Sequence, residues 1–176
     1  MRIISGLFKG KTLNPGKEFT ARPTTDFAKE ALFNILANTY EFEDLEILDL
    51  FSGTGSISFE FASRESILIE AVETNYNHFK YIQKIAGELN FKQLKVYKMD
   101  VFQFLKNNIR KYDIIFADPP YDMAGVENLP DIILEKLILK PAGVFILEHS
   151  KKMSFKNHKN LTDHREYGSV NFSFFS

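Results

Sequence analysis

Asp118-Pro119-Pro120-Tyr121 ends the apolar run Ile114-Ile115-Phe116-Ala117. The two prolines restrict the backbone and remove two N–H donors. Carbonyls nearby then have no N–H competing for their partners. A carboxylate oxygen and such a carbonyl can both accept from one planar –NH₂ group, which orients the group and biases its nitrogen toward attack. Tyr121 supplies a ring to stack on the heterocycle that carries the amine. The chemistry this implies is on an exocyclic amine of a flat heterocycle. The bland alternative is that Pro-Pro simply ends a strand.

Two more apolar runs end in residues fit for the same site. "DLFSGTGSIS" follows the first run, where Gly53 and Gly55 permit a tight turn and close approach of backbone to ligand. The helix start behind them offers free N–H groups. These are only the first two glycines of a dinucleotide fingerprint; Ser58 stands at the third position. Glu73 lies 20 residues beyond Gly53, close to the separation at which an acid meets ribose hydroxyls in nucleotide-binding sheets. A carboxylate can accept from two vicinal hydroxyls and repels a 2′-phosphate, which disfavours NADP. Asp100 follows a third run, where it either accepts from an adenine amino group or caps a helix.

The elements that must hold these residues alternate. "TTDFAKEALFNILANTY" is an amphipathic helix with Thr25 or Asp26 as N-cap. "LEILDLF", "SILIEAVE", "QLKVYKM", "YDIIFA" and "AGVFILEHS" read as strands, with helices "SISFEFASR", "NYNHFKYIQKIAGEL", "VFQFLKNNI" and "LPDIILEKLIL" between them. Near-continuous apolar strands alternating with helices imply a parallel sheet covered on both faces. Such sheets bind ligands at the carboxyl ends of their strands. "RIISGLFKGKTL" reads as a small hairpin, and "TDHREYGSVNFSFFS" as a second hairpin about Tyr167-Gly168. Phe172, Phe174 and Phe175 alternate as core-facing residues rather than as an RNA-stacking tail.

The chain of 176 residues suits one domain, residues 1–176, with 44% hydrophobic and 26% charged residues. It has no Cys, which excludes disulfides, thiolate metal sites and a Cys nucleophile. The four His show no metal-ligand spacing, and no metal is expected. Neither a signal peptide nor a membrane span is visible, so a cytoplasmic location is expected. Residues 1–22 carry five basic groups against one acid and residues 151–176 five against two, around an acidic middle. Basic ends can place one positive face near a phosphate backbone, or be merely solvated.

Taken in order, these motifs resemble a known family. "DPPY" is similar to motif IV, and "DLFSGTG" to motif I, of amino-methyltransferases that use S-adenosylmethionine. "MRIISGLFKGKTL", "RPTTDFAKEALFNIL", "DLFSGTGSISFEFASR", "DPPY" and "YGSV" follow one another as in the bacterial 16S rRNA (guanine-N(2)-)-methyltransferases of the small ribosomal subunit. "RPTTD" and "ALFNIL" are the specific parts, and the resemblance covers nearly the whole chain. It implies a Rossmann-like class I methyltransferase fold. The sheet would be mostly parallel and seven-stranded, with helices on both faces and an N-terminal hairpin plus helix. One of the last two strands would be antiparallel.

The resemblance also implies roles. Asp49, Ser52, Gly53 and Gly55 would line the methionine and ribose side of S-adenosylmethionine, with Glu73 on the ribose hydroxyls. Asp100 and Val101 would sit beside the adenine. Asp118, Pro119, Pro120 and Tyr121 would form the catalytic motif and hold the target base, Asp118 also bordering the cofactor. Arg22 and Thr24 would close over cofactor and substrate, and Lys9 and Lys11 would meet RNA. The implied partner is 16S rRNA or a small-subunit assembly intermediate, bound by a monomer. Ser58 departs from the family's usual Gly, which puts local helix–strand packing in question. Two rival readings are an amino-methyltransferase acting on adenine or cytosine of another RNA or DNA, and a non-catalytic nucleotide- or RNA-binding module.

Overall fold

The computed structural model describes residues 1–16 and 26–176. Helix α1, Asp26–Leu36, precedes the alternating part of the chain. There β1 (Glu46–Leu50), α2 (Ser56–Ser63), β2 (Leu68–Glu73), α3 (Tyr76–Glu88), β3 (Leu94–Lys98), α4 (Val101–Asn107), β4 (Tyr112–Ala117), α5 (Leu129–Glu135) and β5 (Leu139–His149) follow one another. The chain ends in the hairpin β6 (Leu161–Tyr167) and β7 (Val170–Phe175).

The seven strands form one sheet in the order β3-β2-β1-β4-β5-β7-β6. β1 to β5 pair in parallel, and β7 inserts antiparallel between β5 and β6. β1, β2 and β4 are buried almost throughout because helices cover both faces. One face packs Ile47, Phe116, Ile146 and Phe172 against α1, α2 and α3; the other packs Leu48, Ile115, Leu147 and Phe175 against α4 and α5. Phe172, Phe174 and Phe175 are all core residues. Chain order reverses direction across β1 and β4, which makes the carboxyl ends of these two strands the switch point of the sheet. Among the described residues no helix is long and apolar enough to cross a membrane.

The expected N-terminal hairpin is present in short form: Arg2 bridges Thr12, and the N–H groups of Ile3 and Leu13 donate to the carbonyls of Lys11 and Met1, each at 3.0 Å. Two glycines in a short segment keep this pairing short, and the segment is also held by α2. Glu60, fully buried, accepts from the N–H groups of Ile4 at 2.8 Å and Ser5 at 3.0 Å. Lys29 of α1, also buried, donates to the carbonyl of Arg2 at 2.7 Å and to Ser56 Oγ at 3.1 Å. Its ammonium lies 3.8 Å from Glu60. Burial lowers the Lys29 pKa, and Glu60 opposes that shift. Gly6, at φ +79°, passes so close to α2 that a Cβ there would stand 1.9 Å from the Ser63 carbonyl oxygen. The N-terminal segment thus reaches the rim of the switch point, where Thr54 Oγ1 meets Met1 Sδ at 3.7 Å.

Candidate functional site

The carboxyl ends of β1, β2, β4 and β5 open on one cavity of about 480 Å³. That volume lies within the range typical of small-molecule sites. Four carboxylates line it (Asp49, Glu73, Asp118 and Glu148), together with His78. None of the described lining residues is Lys or Arg.

The turn after β1 bends by alternating backbone handedness. Phe51, Gly53 and Gly55 have φ of 59°, 53° and 79°. Phe51 holds this conformation without being glycine, a strained state of the kind that collects at functional sites. The loop is tied down on both sides: Ser52 N–H donates to the Val72 carbonyl at 3.1 Å and Gly55 N–H to the Ser52 carbonyl at 2.7 Å. Gly55 lies beneath the loop, where a Cβ would come within 3.0 Å of both Ile82 and Phe59.

Glu73 braces that loop from β2. One carboxylate oxygen accepts from Gly53 N–H and the other from Asn75 N–H, each at 2.7 Å. A carboxylate oxygen has two acceptor sites, so each oxygen keeps one for a hydroxyl. His78 Nδ1 stands 3.7 Å from Glu73 Oε2. Asp49 is buried at the end of β1 and accepts from both the N–H and the hydroxyl of Ser58. Its carboxyl is pushed up to about 7, chiefly by burial and further by the charge of Glu73, against the hydrogen bonds from Ser58. The serine that replaces the third glycine therefore has a use: it anchors a site acid.

Asp118 follows β4, its N–H 3.4 Å from the Leu50 carbonyl. Burial first, and then the charges of Glu148 and Asp49, raise its carboxyl well above the usual range. Pro119 is buried, Pro120 is exposed, and Tyr121 is 52% exposed at the mouth. Glu148, 3% exposed, ends β5. Ser169, in the turn between β6 and β7, and Val170, at the start of β7, close the far side.

The structure brings together Asp49, Ser52, Gly53, Glu73, Asp118, Pro119, Pro120 and Tyr121. It does not bring Asp100 or Val101 to the cavity. Asp100 caps α4, its carboxylate accepting from Gln103 N–H at 2.9 Å, and Val101 is buried in the core. Lys9 and Lys11 are exposed on the N-terminal segment. Arg22 and Thr24 lie outside the described residues. Sequence reasoning missed Glu148, although "FILEHS" carries the same signal as "FADPPY", an apolar strand ending in an acid. It also missed His78, Ser169 and Val170, which reach the site only through the tertiary fold.

Comparison with known proteins agrees with this architecture. The family model described as "Conserved hypothetical protein 95" matches residues 1–176. Ribosomal RNA small subunit methyltransferase D of Haemophilus influenzae is 31% identical over 166 residues, covering 92% of this chain and 85% of that protein. The protein of the same name from Buchnera aphidicola is 31% identical over 161 residues, covering 91% and 83%. A solved Escherichia coli chain, described as a candidate methyltransferase (yhhF), superposes with a TM-score of 0.85 at 26% identity, covering 99% of this chain and 96% of that one. With the whole chain matched and the motifs converging on one cavity, this protein belongs to the ribosomal RNA small subunit methyltransferase D family.

Proposed function

We propose that this protein transfers a methyl group from S-adenosylmethionine to the exocyclic 2-amino group of a guanine in 16S ribosomal RNA. The observation that carries the reading is the convergence of Asp118-Pro119-Pro120-Tyr121 with the glycine turn and Glu73 on one cavity. The cavity fits the cofactor. Glu73 keeps acceptor capacity for ribose hydroxyls while fixing the turn. The glycine turn lets the backbone approach the cofactor closely, and an acid lining without Lys or Arg among the described residues favours a ligand bearing positive charge.

When bound, S-adenosylmethionine supplies an activated methyl group on a sulfonium. The protein's part is to orient the amine and exclude water. An aryl amine is a poor nucleophile because its lone pair is delocalised into the ring. Asp118 and a backbone carbonyl of the Pro-Pro segment accept from the –NH₂ group and draw it toward a tetrahedral shape. A structured guanine must be unstacked first, at a few kcal/mol. Stacking on Tyr121 returns about 1–3 kcal/mol of that cost. The base-bearing strand approaches past Lys9 and Lys11, exposed on a segment whose first residue borders the cavity.

The test is a transfer assay on small-subunit RNA lacking its own methyl groups, with the product nucleoside identified by mass spectrometry. N2-methylguanosine is expected; a methylated adenine or cytosine would overturn the guanine reading and leave the amine-binding argument intact. No transfer, with cofactor and RNA both bound, would favour a binding module.

A further inference from the structure

The site acids stand in a row. Sheet order β2-β1-β4-β5-β7 sets out Glu73, Asp49, Asp118, Glu148 and then Ser169 and Val170 at the start of β7 along one cavity. Phe116 is level with Asp49 on one side and Ile146 on the other. Two residues further on, Asp118 and Glu148 therefore share that face on adjacent strands, whose spacing is about 4.8 Å. The glycine turn and Glu73 take the β1–β2 end of the row. Glu148 stands at the opposite end, beyond Asp118 and beside β7, in the half left for the base.

Glu148 is 3% exposed and faces the same cavity as Asp118. Two neighbouring acceptors fit a ligand edge with two neighbouring donors. Among bases with an exocyclic amine, guanine has that edge: its N1–H lies beside the 2-amino group. Adenine N1 and cytosine N3 are bare acceptors beside their amines and would face a carboxylate lone pair to lone pair. We propose that Glu148 is the specificity-determining residue of the site, accepting from the N1–H of the target guanine while Asp118 takes the 2-amino group. This assignment rests on the guanine reading above and supplies the contact that would select the base.

The test uses a small-subunit RNA fragment containing the methylated position, made with either guanine or 2-aminopurine there. 2-Aminopurine keeps the amine but presents N1 as a bare acceptor. In single-turnover assays the wild type should favour guanine by about tenfold or more, the scale of one lost recognition contact. Glu148→Gln turns an amide –NH₂ toward N1, so the guanine to 2-aminopurine ratio should fall by about tenfold or more. Glu148→Asp, which keeps the charge and withdraws the acceptor, should slow guanine without helping 2-aminopurine. Melting temperature and cofactor affinity establish that each variant is folded. Equal wild-type rates on the two bases, or an unchanged ratio in a folded Glu148→Gln, would overturn the assignment. Failure to methylate the guanine at N2 would instead overturn the reading on which it rests.

Discussion

At the β1–β2 end of the cavity each acid is tied to its own chain. Glu73 spans Gly53 and Asn75, and Asp49 takes both donors of Ser58. At the β4–β5 end Asp118 is followed by two prolines, which have no N–H to give, and its charge is opposed by Glu148. One end is finished by internal hydrogen bonds before any ligand arrives. The other sets two acids against each other, and is incomplete in that a ligand's N–H groups would relieve their repulsion. A cofactor present in every turnover suits the first design. A base admitted once per turnover, and selected against other bases, suits the second.

The largest expected effect bears on the finished end. Asp49 carries a carboxyl with a pKa raised from its usual 3.8 to about 7, so the folded protein holds a proton that the unfolded chain releases. Stability from this group is full below pH ~4 and is lost as pH rises through about 7. The interval corresponds to on the order of 4 kcal/mol at most. Asp49→Asn should remove that slope. The gap in melting temperature between variant and wild type, both without cofactor, should widen in the variant's favour from pH 5 to pH 8. A pH-independent gap would show that Asp49 stays ionised and that Ser58 alone compensates for its burial.

Next comes the incomplete end. Asp118→Ala should lower the single-turnover methyl-transfer rate by roughly 10²-fold or more, the scale of removing one preorganised polar contact to a transition state. Cofactor affinity should change far less. Full activity would remove Asp118 from the chemistry. Glu73→Gln should do the reverse. It should weaken S-adenosylmethionine binding by about 1–3 kcal/mol, with a smaller effect on the rate at saturating cofactor. Calorimetric titration beside single-turnover kinetics checks both. If the two substitutions have the same profile, the cavity does not divide as described.

Sequence made the finished end easier to read than the incomplete one. Gly53, Gly55 and Glu73 lie within one βαβ unit, so a spacing of 20 residues carried the geometry. Burial also follows composition: apolar runs such as Ile114–Ala117 lie in the middle of the sheet because nothing else can cover them. Asp118 was legible because prolines mark the strand end. Glu148 was not, since its meaning depends on β5 lying beside β4, a long-range pairing that local pattern does not reveal. Asp100 was read as either an acceptor for adenine or a helix cap, and its side chain caps α4 through Gln103 N–H, outside the cavity. The N-terminal hairpin was legible as a turn pattern, but what holds it was not. Beside its own short pairing, its polar groups are met by the buried Glu60 and Lys29 of other elements, a long-range contact that local pattern does not reveal.

The smallest expected effect separates ring from hydroxyl at the mouth of the cavity. Tyr121 is 52% exposed, so its phenol can remain hydrated while its face covers a base. If stacking is its contribution, Tyr121→Phe keeps the π surface and should retain activity within about threefold, because base–aromatic stacking depends on the ring face. Tyr121→Ala removes that surface and should cost about 1–3 kcal/mol in binding of the flipped base. That loss should appear as weaker RNA binding and slower transfer at low RNA concentration. Cofactor affinity should be unchanged in both, since Glu73 and the glycine turn lie at the other end of the row. The comparison sharpens if a 2-aminopurine placed at the target position loses its quenched fluorescence in the alanine variant and keeps it in the phenylalanine variant. Equal losses in the two variants would mean that the hydroxyl, not the ring, holds the base, and the incomplete end would then contain a third polar contact beside Asp118 and Glu148.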